Sequence, residues 1–591
     1  MAFMIEIKKV FRTAADVSAM FIKNSKKLLF MDIFIGVSGE LTQLIMTVLP
    51  SVVIWLCLNR GFTSAMTAIG VMVTVLALLR VTCEYIRRDL SDNSLHATNT
   101  LYYYINGKNA RLDLCDVEDS GITDQYYKAF DNIYNFCDVH YSIFCVLLGK
   151  LLSFAIMSYF IIAVDLRLYA IVLIENIVVL MIKAKKDKID HAFEEEMSKN
   201  TKRIKYLSEL MYDFGAGRDL RIYNGNSMIS DKYQSELLKN RKIEIKKQRK
   251  DFLIGLIISL LGFLQIFLIY LLAINKYAAG GLLLASFILY VNASKQIASS
   301  IADIMWAVGI LHTASIYYDD FRQYMSIGEK LRESGKDIPT DSREAVPFIE
   351  FRNVSFRYPN QSEPAIENFS CKIEYGDHIA IVGDNGAGKS TFVKLLLRLY
   401  DPTEGEIYYK GKNIKEYDYD SYQAIFAPVF QDYVLNAFSI RENLIFDYAE
   451  REKMIKGALE KTGICDKIME IGLDRPYSRK FFEDGVEFSG GEQQRLVISR
   501  AYCKNSEVIV LDEPTAAIDP LSERKLFEDV FGGIGKTTSV MISHRMSCSK
   551  FSDRIFVMDH GKLVEQGSHS ELLSLGGLYA SMYQRQAKYY A

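Results

Sequence analysis

The amino-acid sequence predicts a multidomain chain: an all-α membrane domain of six spans, followed by an α/β domain of the P-loop class. Three observations carry this reading. Windows of roughly 20 apolar residues, enough for a helix to cross a hydrocarbon core of about 30 Å, recur through the first 310 residues. Beyond residue 311 these windows stop, and short alternating or continuous apolar runs bounded by turn residues take over, as strands require. One such run, 379–382, leads straight into a glycine-rich loop and then a helical pattern.

A chain of 591 residues exceeds one compact domain, and its composition is mixed, with 50% apolar and 24% charged residues. A formal net charge of −2 gives no support to the strongly basic surface that nucleic acid demands. The nine cysteines (Cys57, Cys83, Cys115, Cys137, Cys145, Cys371, Cys465, Cys503 and Cys548) form no CxxC pair, which speaks against a zinc site or a disulfide framework.

Residues 1–27 intersperse Lys8, Lys9, Arg12, Lys23, Lys26 and Lys27 with apolar residues, the pattern of an amphipathic helix on a membrane face and not of a removable signal peptide. Six candidate spans follow at 28–58, 65–85, 141–164, 166–184, 252–274 and 280–311. The three short connections carry only Arg60, Arg167 and Lys276, whereas 183–251 is crowded with Lys and Arg, so the long loops and both termini are expected on the cytoplasmic side. The long loops read as helices continuing past the bilayer. Glu40 and Glu175 interrupt apolar spans; an intramembrane carboxylate is either a functional group, for instance toward a cationic or amphipathic substrate, or one half of a helix–helix contact. The membrane domain is thus expected over 28–325, a polar linker over 326–345, and the α/β domain over 346–591.

In the second half, Gly383, Asp384, Asn385, Gly386, Ala387, Gly388, Lys389, Ser390 and Thr391 follow the strand at 379–382. Backbone N–H groups of such a loop close around phosphate oxygens, Lys389 reaches the β and γ phosphates of ATP, and Ser390 can ligate Mg²⁺. A second buried strand, 508–511, ends in Asp512 and Glu513, a pair suited to holding Mg²⁺ through water and to polarising an attacking water.

The run Phe488, Ser489, Gly490, Gly491, Glu492 resembles the signature of ATP-binding-cassette (ABC) transporters. Further motifs of that family stand in order: Tyr358 matches the adenine-stacking aromatic, Gln431 the Q-loop glutamine that senses Mg²⁺, and Glu483 the acid ahead of the signature. Asp519 matches the D-loop and His544 the switch histidine. The segments from Asp116 to Ala129 and from Phe214 to Tyr223 resemble the coupling loops of ABC exporters. The resemblance implies an exporter-type half-transporter, with an ABC helical subdomain inside the α/β domain. It implies a dimer in which the signature faces the ATP of the opposite chain, with Glu513, His544 and Gln431 catalytic. The expected activity is ATP-driven export of a peptide, drug or lipid across the cytoplasmic membrane. Importers of metal-chelate complexes and ATP-gated sensors or channels share the architecture. About 27 residues precede the spans, too few for a leader-cleaving peptidase domain. The sequence departs from the usual signature, LSGGQ, at Phe488 and Glu492, which is compatible with a partner that is identical or a paralogous chain.

Overall fold

The computed structural model describes residues 2–332 except 25, 138, 140, 141, 165, 281 and 282, and residues 348–514 except 360 and 447–450. It also describes residues 528, 532, 535 and 537–590 except 544, 545 and 547. The chain forms two compact units: residues 1–110 with 124–326, and residues 111–123 with 327–591.

The first unit is helical: α1 (Ala2–Asn24), α2 (Lys26–Asn59), α3 (Phe62–Asn109), most of α5 (Ser120–Asp131), α6 (Leu148–Val164), α7 (Leu166–Tyr212), α8 (Asn226–Ala278) and α9 (Leu284–Met325). A π-helical turn, Ser142–Leu147, precedes α6. Five of these stretches are long and apolar enough to cross a membrane. The remaining expected span lies within α7, a continuous helix whose apolar stretch holds Glu175 between Arg167 and Lys183, so its length fits a crossing better than its composition does. The last expected span begins later than 280: α8 runs to Ala278, Gly280 turns the chain with a φ of +74°, and α9 starts at Leu284. As expected, α3, α7 and α8 run far beyond bilayer length. Along α8, Phe252, Leu256, Leu260, Phe263 and Phe267 are exposed, a continuous apolar face of the kind lipid covers. α1 buries Val10, Ala14, Val17 and Phe21, one side of an amphipathic helix.

A polar seam runs through this apolar unit. Lys150 on α6 lies 2.9 Å from Glu40 Oε1 on α2 and 3.0 Å from Asp303 Oδ2 on α9, and donates to Gln43 Oε1 at 2.9 Å. Farther along the same helices, Gln296 Nε2 donates to Ser153 Oγ at 3.2 Å and Asn292 Nδ2 to the Thr47 carbonyl at 3.4 Å. Glycine at 149 permits the approach, since a Cβ there would stand 2.8 Å from Glu40 Cγ. Of the two intramembrane acids, Glu40 is therefore half of a helix–helix ion pair; Glu175 makes no ion pair among the described residues.

In the second unit, a six-stranded sheet of order β10-β9-β3-β8-β7-β6 lies beside a four-stranded antiparallel sheet of order β2-β1-β4-β5. The strands are β1 (Ile349–Phe356), β2 (Ile366–Ile373), β3 (His378–Val382), β4 (Glu404–Tyr409), β5 (Lys412–Asn413), β6 (Phe426–Val429), β7 (Val508–Asp512), β8 (Thr538–Ile542), β9 (Arg554–Asp559) and β10 (Lys562–Gly567). β6, β7, β8, β3 and β9 are parallel; β3 and β7 carry continuous apolar runs, and β7 and β8 are buried along their whole length, as a sheet covered on both faces requires. Helix α10 (Lys389–Leu396) buries Phe392, which stacks on Phe351 of β1 at 4.7 Å. A helical subdomain containing α11 (Cys465–Ile471) and α12 (Gly490–Lys504) has its own core, including Ile455, Leu459, Ile468, Phe488 and Leu496.

Lys150→Met leaves Glu40 buried without its counter-charge and is expected to lower stability by about 3–5 kcal/mol. Adding Glu40→Gln should recover most of that loss, because Glu40 is the more deeply buried of the two acids that Lys150 meets. Thermal unfolding of the detergent-purified chain measures both, and equal losses in the single and double variants would mean that charge is not what the lysine supplies.

Candidate nucleotide site

Parallel register brings the chemistry to one edge. Ile381 of β3 pairs with Ile542 of β8, Asp512 of β7 with the same Ile542, and Leu511 with Val429 of β6. The loops leaving these strands at their C-terminal ends are the glycine-rich loop after β3, Gln431 after β6, Glu513 after β7 and Ser543 after β8. His544 belongs to the last of these by sequence, but His544 and Asp519 both lie outside the described residues.

The glycine-rich loop is held in shape by its backbone. Gly388 has a φ of +97°, and a Cβ there would meet the Ala365 carbonyl at 2.7 Å; at Gly383 it would meet the Met558 carbonyl at 2.3 Å. Ala387 N donates to the Asp384 carbonyl at 3.1 Å and Gly561 N to the Ala387 carbonyl at 3.1 Å, tying the loop to the turn between β9 and β10. Asp384, Asn385, Gly386 and Ser390 are exposed on the loop, whereas Ala387 and Thr391 are buried. Lys389 folds back, its ammonium donating to the carbonyls of Gly383 at 2.8 Å and Asp384 at 2.9 Å. Burial lowers its pKa, opposed by the nearby carboxylates of Glu513, Asp384 and Asp512.

Asp512 is 8% exposed, and its Oδ1 has no hydrogen-bond partner among the described residues. Burial first, then the neighbouring Glu513 carboxylate, pushes its pKa up to about 6; Asp432 adds to the rise and Lys389 opposes it. Glu513 sits at a φ of +48° with its N–H on the Ile542 carbonyl at 2.9 Å, a strained conformation for a side chain that must point out of a strand end. A buried carboxylate with a free oxygen, an exposed Ser390 and backbone groups arranged around a lysine fit a Mg²⁺–triphosphate.

Tyr358 is half-buried, its hydroxyl 3.2 Å from Thr391 Oγ1 and its ring 5.4 Å from Lys394 Nζ, so it borders the loop's helix. Gln431 is exposed two residues after β6. Tyr433, just beyond it, donates to the Gly490 carbonyl at 3.3 Å.

Ser489, Gly490, Gly491 and Glu492 open α12, and no hydrogen bond or ion pair among the described residues joins them to the glycine-rich loop. Both departures from the usual signature have a local cause. Phe488 is buried in the helical subdomain and stacks on Tyr477, with ring centroids 6.2 Å apart. Glu492, in the first turn of α12, accepts the Ser489 N–H at 2.9 Å and pairs with Lys467 of α11. Glu483 is exposed in the loop before the signature.

Residues 111–123 carry further contacts of this unit that sequence reasoning did not resolve. The short helix α4 (Leu114–Val117) packs Leu114 and Cys115 on the core around α10. Asp113 Oδ2 accepts the Leu331 N–H at 3.1 Å. Glu118 accepts from Lys394 Nζ at 3.2 Å and from the Tyr400 hydroxyl; burial opposes its ionisation, but these donors hold its carboxyl below the usual range. Only the residue type at 118 was visible beforehand, since its partners lie about 280 positions away. The other proposed coupling segment is a helix, Phe214–Ile222, in the first unit.

Residues 366–516 match the ABC transporter family. The subtilin transport ATP-binding protein SpaT of Bacillus subtilis is 30% identical over 392 residues, 64% of this chain and 62% of that protein. An ATP-dependent lipid A-core flippase of Pasteurella multocida is 38% identical over 263 residues, 44% of each chain. In these matches the chain spans less than two thirds of the length of either relative. A solved structure of a bacterial Atm1-family ABC exporter with ATP bound superposes with a TM-score of 0.78 at 24% identity, covering 95% of this chain and 98% of the other. Residues 366–516 are therefore an ABC transporter domain, carried in one chain with a helical half that shares the fold of an ABC exporter.

Proposed function

We propose that the chain is a half-transporter that pairs with a second one, identical or paralogous, to export a substrate across the cytoplasmic membrane at the expense of ATP. The observation that carries this reading is the convergence of Lys389, Ser390, Gln431, Asp512 and Glu513 on one sheet edge, in a chain whose described residues also include five helices fit to cross a membrane. The relatives' names, one for subtilin and the other for lipid A-core, keep the cargo class at peptide, drug or lipid.

On this reading the glycine-rich loop cradles the phosphates and Lys389 exchanges its two carbonyl partners for the β and γ oxygens. Tyr358 borders the base. Ser390, Gln431 and Asp512 would hold Mg²⁺, which would supply positive charge against the charge developing on the phosphates. Glu513 orients and polarises the attacking water, with His544 on the γ-phosphate, while Ser489, Gly490 and Gly491 of the second chain close the site, with Asp519 at that junction. ATP favours the paired state only by binding it more tightly than the separated one. Residues 111–123, which fold with the ATPase unit yet are continuous with α3, give that closure a route into the helical half.

Glu513→Gln is expected to cut phosphate release at least 10²-fold while ATP binding persists, the loss typical of a general base. The full chain in lipid nanodiscs, with its mass from light scattering, is the sample; undiminished turnover would remove Glu513 from the chemistry.

Asp512 provides a stability test. Its raised pKa means that the folded state holds the proton over a window where the unfolded state, near 3.9, has lost it. Stability therefore falls as pH rises from about 4 to about 6, and above that the deficit is complete. Without Mg²⁺ and nucleotide, Asp512→Asn should stabilise the chain at pH 7.5 by ~1–3 kcal/mol, and the gain should fade toward pH 4. Denaturant unfolding at the two pH values reads this directly.

A further inference from the structure

Glu492 puts a negative charge where the signature usually carries a neutral glutamine. It stands in the first turn of α12, a helix of 15 residues whose free N–H groups and dipole favour an anion. Ser489 and Gly490, just before and at the start of that turn, are exposed and therefore accessible to a phosphate. A carboxylate in this position occupies the Ser489 N–H at 2.9 Å and repels any other anion brought to the same turn.

The structure also contains the remedy. Lys467, on the neighbouring helix α11, forms an ion pair with Glu492 Oε1, while Oε2 keeps the capping bond to Ser489. Lys467, with the capping bond, holds the Glu492 carboxyl below its usual range, the sign expected of a carboxylate whose charge is met by a partner. The lysine side chain is 50% exposed and that of Glu492 26% exposed. An ion pair this open to solvent adds little to fold stability, but it sets the net charge at the turn that an incoming phosphate meets.

We infer that Lys467 is a positioning residue for ATP: by pairing with Glu492 it cancels the charge in the signature, so that Ser489 and the Gly490–Gly491 backbone can receive the γ-phosphate presented by the second chain. The inference rests on the ATP-driven reading above and deepens it. Lys467 touches no reacting atom; it acts through Glu492. It also accounts for how an acidic signature coexists with intact Lys389, Asp512 and Glu513 in the same chain.

The test is a double-mutant cycle on the full chain in nanodiscs, reading kcat and KM for ATP at low and high salt. Lys467→Met is expected to raise KM for ATP about tenfold, with a smaller effect on kcat and a smaller loss at high salt, where the uncompensated charge is screened. In a Glu492→Gln background the same lysine substitution should leave KM where Glu492→Gln alone puts it. A purely structural role for Lys467 predicts the opposite: an equal loss in both backgrounds and no salt dependence. That result would overturn the inference, as would an unchanged KM in Lys467→Met. Absence of ATP hydrolysis and of ATP binding by the unsubstituted chain would instead bring down the ATP-driven reading, and the inference with it; turnover by the unsubstituted chain separates the two failures.

Discussion

The parallel pairing of β6, β7, β8 and β3 is the constraint on which the rest of the second unit depends. Parallel strands end at a common edge, so four segments distant in sequence deliver their next residues to one place without any loop having to reach for it. The arrangement also explains two local costs. Glu513 takes a left-handed backbone conformation directly after β7, and Asp512 keeps an unpartnered oxygen in a buried position. Each is expensive by itself, and each is affordable because β7 is buried along its whole length and paired on both sides.

The helical unit follows a different rule. With lipid around it, burial of apolar surface does not discriminate between helix packings, whereas polar contacts do. The seam from Asn292 and Thr47 to Glu40, Lys150 and Asp303 therefore sets which faces of α2, α6 and α9 meet. It also reassigns Glu40. A carboxylate read as a candidate for contact with a cationic substrate already has its cation, supplied by the protein.

What the sequence makes legible is what is local. The glycine-rich loop, the Asp512–Glu513 pair and the apolar windows each fit within about 20 residues, and their chemistry follows from residue type and order. Contacts between distant residues escape that reading. Lys150 meets Glu40 from 110 positions away and Tyr400 meets Glu118 from 282, and nothing in either local pattern announces the partner. In α7 the stretch expected as a span at 166–184 is part of one unbroken helix, although Arg167, Glu175 and Lys183 dilute its apolar composition. The signature is an intermediate case: its position is plain, but the reasons for Phe488 and Glu492 lie in Tyr477 and Lys467, neither part of any motif.

These two substitutions bear on what a departure from a motif means. A change is degenerate when it removes a group that the chemistry uses and nothing replaces it. Phe488 fills the core of the helical subdomain, and an apolar residue of either shape can do so. Glu492 keeps the cap on α12 that its position requires and brings a charge that Lys467 answers. The altered signature is thus a self-consistent local solution, built with its own counter-ion, and neither departure by itself marks it as a weakened one.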